Sequence, residues 1–94
     1  MLFAVECLDK PDHGALRAET RQAHLEYLER NVDRVVFAGP LLTDDGASAI
    51  GSLLVIQAED RADIERFCAT DPYAKAGLFE RTTIRPWRQV FPKA

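Results

Sequence analysis

An α+β fold built on one four-stranded antiparallel sheet is what this 94-residue sequence predicts, and three observations predict it. Segments with strand and helix character follow one another in the order strand, helix, strand, strand, helix, strand. Pro40 and Pro86 fall in the second and last strands, which that order places at the two edges of the sheet; proline cannot donate to a sheet ladder and is confined to edges and bulges. The two remaining strands, LFAVECL and SLLVI, are apolar at successive positions, as central strands buried on both faces are. Together these describe a ferredoxin-like βαββαβ domain with two helices covering one face of the sheet.

Each element has its own local reason. Residues 2–8, LFAVECL, are rich in strand formers and stop at the turn chemistry of DKPDHG. From Ala15 to about Asn31 the spacing predicts an amphipathic helix: at about 100° per residue, Glu19, Gln22, Glu26, Glu29 and Arg30 share one side, opposite Leu16, Tyr27 and Leu28. RVVFAGPLLT (34–43) and GSLLVIQA (51–58) read as strands joined through the turn DDGAS into a hairpin. Asp60 is placed to cap a helix whose Ile64, Phe67 and Cys68 recur at i, i+3 and i+4, with Asp63 favourably set in its first turn. RTTIRPWRQVF (81–91) returns as the last strand, where Trp87 and Phe91 share a face. Those two aromatics read as core or as contacts between copies in preference to the wall of a pocket.

Two helices cover only one face of such a sheet, while its central strands want burial on both. In a chain this short the economical cover is a second copy, sheet against sheet about a two-fold axis, so a homodimer is expected.

The composition, 47% hydrophobic and 29% charged, is that of one globular domain spanning residues 1–94. A formal net charge of −3 argues against nucleic acid as a partner, since phosphate contacts need a basic surface. No apolar run approaches the ~20 residues of a membrane span, and MLFAVECLDK has no basic stretch before its apolar residues, so a cytoplasmic protein is expected. Cys7 and Cys68 sit among apolar neighbours and behave as small hydrophobes. Neither belongs to a C-x-x-C pair, and His13 and His24 have no zinc spacing, so no metal is expected. Without a glycine-rich phosphate loop, a nucleotide cofactor has no support.

Six residues invite a chemical reading. His24 lies on the inward side of the first helix, with Thr20, Leu28 and Asn31 around it, either as a core histidine bonded to backbone or as an acid/base group that needs a partner. Arg21, one turn before it, and Arg17, two turns before, are nearer this side than the solvent side. Either can hold a carboxylate-bearing ligand, snorkel to water, or pair with Glu6 or Asp9. Asp71 precedes Pro72, with Gly77 close behind, which describes a capped helical turn; a carboxylate has a second oxygen free to orient an imidazole. Ser52 lies outside any G-x-S-x-G elbow and reads as a ligand contact only. Tyr73 reads as a pocket wall.

RQAHLEYL (21–28), AGPLL (38–42), IGSLLVI (50–56), TDPYAKAGLFE (70–80) and TIRPWRQVF (83–91) occur in order, and over essentially its whole length the chain resembles the YCII-related (YciI-like) proteins. The resemblance implies a dimeric α+β barrel, two ferredoxin-like sheets facing each other, with His24 and Asp71 as the catalytic pair. It also implies lyase-like chemistry, of which loss of HCl from chlorinated hydroxyquinone-type aromatics is the activity best associated with the group. The resulting expectation is a small dimeric, cofactor-independent enzyme, lyase- or isomerase-like, acting on a small aromatic or carbonyl compound. In it Asp71 fixes the tautomer of His24, His24 moves a proton, Arg21 and Ser52 contact the substrate and Tyr73 walls the pocket. The alternative is a non-catalytic ligand-binding or protein-interaction module of the same fold.

Overall fold

The structure, a computed structural model, describes residues 1–93. Its elements are β1 (Leu2–Asp9), α1 (Gly14–Arg30), β2 (Val35–Leu42), β3 (Ala49–Gln57), α2 (Arg61–Thr70), the one-turn α3 (Pro72–Lys75) and β4 (Phe79–Trp87). All strand pairs are antiparallel and the sheet order is β2-β3-β1-β4, so Pro40 and Pro86 do sit on the edge strands. This is the ferredoxin-like α+β fold, the protomer architecture of the dimeric α+β barrel class.

Register decides which side chains meet. Phe3 faces Ile56 and Val5 faces Leu54 across β1 and β3, and these four point at the helices. Ile64 and Phe67 from α2 and Tyr27 from α1 complete that core. Two polar bonds lock the helices in place: the Tyr27 hydroxyl donates to the Phe67 carbonyl at 2.7 Å, and the Asp60 carboxylate caps α2 by accepting from the Asp63 N–H at 2.8 Å.

The other face of the sheet carries Ala4, Phe37, Leu53, Val55 and Trp87. Phe37 and Trp87, from the two edge strands, meet edge to face with centroids 6.4 Å apart, and Val55 on the same face is only 2% exposed. Phe37, Leu53 and Trp87 themselves stay exposed at 48%, 40% and 36%. No helix covers this face.

One expectation is corrected. β4 ends at Trp87, so Phe91 does not share a strand face with it. The ladder stops there because Trp87 pairs with Leu2, the first residue of β1, while the backbone of Met1 is bonded to Ala58 instead.

Gly51 sits opposite Leu8 where β1 and β3 approach closely, and a Cβ built on it runs into the Cys7 carbonyl oxygen. That neighbour is backbone of the central strand and cannot swing aside. Gly51→Ala is therefore expected to destabilise the fold by about 1–3 kcal/mol through overpacking. A denaturant midpoint equal to that of the parent chain contradicts this reading.

Candidate functional site

Arg17, Arg21, His24 and Leu28 recur at i, i+4, i+7 and i+11 on α1 and form one stripe facing the sheet and α3. Asp71 comes to meet it from the junction of α2 and α3. The residue before a proline is driven out of helical conformation, and Asp71 has φ −57° and ψ 129°, which ends α2 and starts α3. Its Oδ1 accepts the Tyr73 N–H at 2.9 Å, and Gly77, at φ +80°, lets the chain turn out of α3 toward β4.

Held in this way, Asp71 meets His24. Nδ1 lies 2.9 Å from Oδ1 and 3.1 Å from Oδ2, with both residues buried. A carboxylate accepts only, so Nδ1 is the protonated nitrogen and donates, which leaves Nε2 with its lone pair. Nε2 takes no partner within the chain, yet among the described residues no sealed side-chain nitrogen or oxygen lacks one. Nε2 is therefore open to the cavity that His24 lines.

That cavity measures about 260 Å³ and lies between α1, α3 and strands β2 and β3. Ala38, Gly39 and Pro40 of the edge strand form one wall and leave space by being small. Tyr73 forms another, its ring stacked on the His24 imidazole with centroids 4.1 Å apart and planes 21° off parallel. A shallower groove of about 620 Å³ lies elsewhere, around Met1, Leu2, Pro86 and Trp87, with Arg88 as its only ionisable side chain. It lacks the converging polar groups of a reaction site.

Ser52 and Arg17 form a second polar unit in the cavity. The buried Arg17 guanidinium donates through Nε to Asp9 Oδ2 at 2.7 Å and through Nη2 to Asp9 Oδ1 at 2.9 Å and Ser52 Oγ at 3.0 Å. It also lies 4.6 Å from the centre of the Tyr73 ring. Burial pulls the Arg17 guanidinium down, but the bonds and charge of Asp9 outweigh it and hold it above its ordinary range. Burial pushes the Tyr73 phenol up, opposed by Arg17 and Arg21, so Tyr73 is a neutral phenol.

Of the readings open to Arg17, pairing with Asp9 is the one realised. Arg21 is different: it lines the cavity, is exposed, and makes no ion pair among the described residues. No carboxylate is among the lining side chains, so the cavity mouth presents an uncompensated positive charge. The link from Asp9 through Arg17 to Ser52 spans three separate elements and was not legible as a unit, although the phase of Arg17 on α1 was its signal.

Comparison with known proteins identifies the family. The model of the YCII-related domain matches residues 1–88. The chain belongs to the YCII-related family. It is 32% identical to Protein YciI of Escherichia coli O6:H1, with 97% of this chain and 100% of the relative covered. Among solved structures it is similar to 5-chloro-2-hydroxyhydroquinone dehydrochlorinase (TftG) from Burkholderia phenoliruptrix AC1100 in complex with 2,5-dihydroxybenzoquinone. Identity there is 33%, TM-score 0.89, and 96% of each chain is covered. SnoaB, a cofactor-independent oxygenase from Streptomyces nogalater, shares the fold at 17% identity and TM-score 0.62, covering 98% of this chain and 97% of that one.

Among the described residues no group of three or more His, Cys, Asp or Glu converges to hold a metal ion, and no helix is long and apolar enough to cross a membrane. Burial pushes the Cys7 thiol up to about 11 and the Cys68 thiol up to about 12.

Two outcomes follow from this environment. Arg17→Met leaves the Asp9 carboxylate buried without its partner and is expected to cost about 3–5 kcal/mol in urea unfolding, far above a surface ion pair; a loss below about 1 kcal/mol contradicts the pairing. Both thiols are expected to resist iodoacetamide at pH 8 in the native state and to react on unfolding, because thiolate is scarce at that pH; rapid native labelling contradicts their placement.

Proposed function

We propose that this chain is a small homodimeric enzyme, lyase- or isomerase-like, in which His24 and Asp71 perform general acid/base chemistry on a small hydroxylated aromatic or carbonyl compound. The observation that carries this reading is the imidazole fixed at Nδ1 by Asp71 with Nε2 open to a cavity. Nε2 is then the base for an acidic O–H or C–H of the substrate, and the imidazolium returns the proton elsewhere or gives it up with a leaving group. A positioned base of this kind contributes typically ~10²–10⁴-fold.

The charge left on the substrate has two places to go. Ser52 Oγ already accepts from Arg17, so its own proton is free to donate into the cavity toward a developing oxyanion. Arg21 supplies the uncompensated positive charge at the mouth and attracts a phenolate, enolate or carboxylate oxygen. At about 260 Å³ the cavity is smaller than most drug-sized sites and suits one substituted ring, with Tyr73 as its wall. The chemistry named for TftG, dehydrochlorination of a chlorinated hydroxyquinol, and its complex with a dihydroxybenzoquinone fit that charge and size.

The exposed apolar side chains on the helix-free sheet face support a two-fold pairing of sheets between copies. Residues 1–94 act in this reading as one domain in the cytoplasm, with no cofactor, metal, nucleic acid or membrane as partner. The same His24–Asp71 bond also ties α1 to the start of α3, which favours a second reading as a ligand-binding or protein-interaction module.

Variants separate the two. With 5-chloro-2-hydroxyhydroquinone and a panel of hydroxylated aromatics, His24→Ala and Asp71→Asn are expected to lower kcat/KM by at least ~10²-fold. Arg21→Gln is expected to raise KM about tenfold with kcat nearly unchanged, as loss of a ground-state contact does. A stability loss of about 1–3 kcal/mol in both dyad variants, with no compound turned over by the parent chain, favours the module and contradicts the enzyme.

A further inference from the structure

Val90 and Phe91 are the most exposed large apolar residues of the described chain, at 78% and 88%. They follow β4 directly. Gln89 Nε2 donates to the Pro92 carbonyl at 2.9 Å, bending this segment into a hook whose outer turn carries the two side chains. Beside the hook's root lies the 620 Å³ groove walled by Met1, Leu2, Pro86 and Trp87. Arg88 and Gln89 also line it, so the hook springs from the groove's own rim and holds Phe91 out of it. Leu2 and Trp87 pair across β1 and β4, which makes the groove continuous with the helix-free sheet face.

We propose that the hook of one copy, Val90–Phe91, seats in the groove of a second copy, and reciprocally, securing the sheet-to-sheet dimer where these two ends meet beside the two-fold axis. This rests on the two-fold pairing put forward above and names what secures it. Stable interfaces bury ~800 Å² per partner. The exposed apolar side chains of the sheet face, Phe37, Leu53 and Trp87, supply on the order of 300 Å², and Phe91 with Val90 add roughly 300 Å² more. The hook thus about doubles the exposed apolar side-chain area that a sheet-to-sheet contact can bury. Hook and groove lie at the same end of one protomer, so an isologous two-fold contact occupies both and leaves neither to propagate a chain of copies.

Sedimentation and cross-linking of the full chain test this. The parent is expected to be a dimer at micromolar concentration, with Val90→Asp plus Phe91→Asp raising the dimer Kd at least tenfold and Leu53→Asp, on the sheet face, also weakening it. In a Leu2→Cys plus Phe91→Cys variant, mild oxidation is expected to give a covalent dimer on a non-reducing gel. If Leu53→Asp dissociates the dimer while the hook variant leaves Kd unchanged, the hook proposal is overturned and the sheet pairing stands. A disulfide closed within one copy assigns the hook to its own groove and overturns the exchange, and a monomeric parent overturns both.

Discussion

The contact between His24 and Asp71 joins residues 47 apart in sequence, and the arrangement of the site depends on it. Asp71 serves three groups with two oxygens: it ends α2 by its own backbone, caps α3 by accepting the Tyr73 N–H, and holds the His24 imidazole. The cap holds the carboxylate in place independently of the imidazole, as preorganisation of the pair requires. The same turn delivers Tyr73 onto the His24 ring, so the proposed base and one wall of its cavity are positioned by one local structure. Asp71 therefore both folds the chain and presents the group on which the proposed chemistry turns.

Around that pair, charge is distributed unevenly. Arg17 is neutralised by Asp9 and its donors are spent on holding Ser52, whereas Arg21 has no carboxylate partner. The cavity thus separates a structural cation from a free one, and only the second can discriminate for ligand charge. The fold leaves this choice open. The oxygenase SnoaB shares the topology at 17% identity, and a fold of this kind does not by itself fix the chemistry.

Much of the frame was legible in the sequence because the signals were local. Pro40 and Pro86 marked the edge strands, the apolar runs of β1 and β3 marked the centre, and Asp60 and Asp71 marked helix starts; all six lie where those patterns put them. The inward phase of His24 and the capping chemistry of Asp71 were readable for the same reason, but that the two meet at hydrogen-bonding distance is a tertiary fact with no local signature. Phe91 was misread because strand periodicity continued past Trp87, while the partner strand β1 had already run out. Pairing of Arg17 with Asp9 was one of the readings open to it, but that the same guanidinium also holds Ser52 follows only from the packing of β1, α1 and β3.

The claim underneath all of this is that the His24 imidazole is protonated at Nδ1 toward Asp71 and offers Nε2 to the cavity. Long-range proton–nitrogen NMR of ¹⁵N-labelled protein, with the imidazole neutral, reads that directly. The account predicts Nδ1 as the protonated nitrogen and Nε2 as the unprotonated one, with the Nε2 resonance shifting when a hydroxyquinone binds. A proton on Nε2, or an Nε2 signal indifferent to such a ligand at saturation, contradicts it.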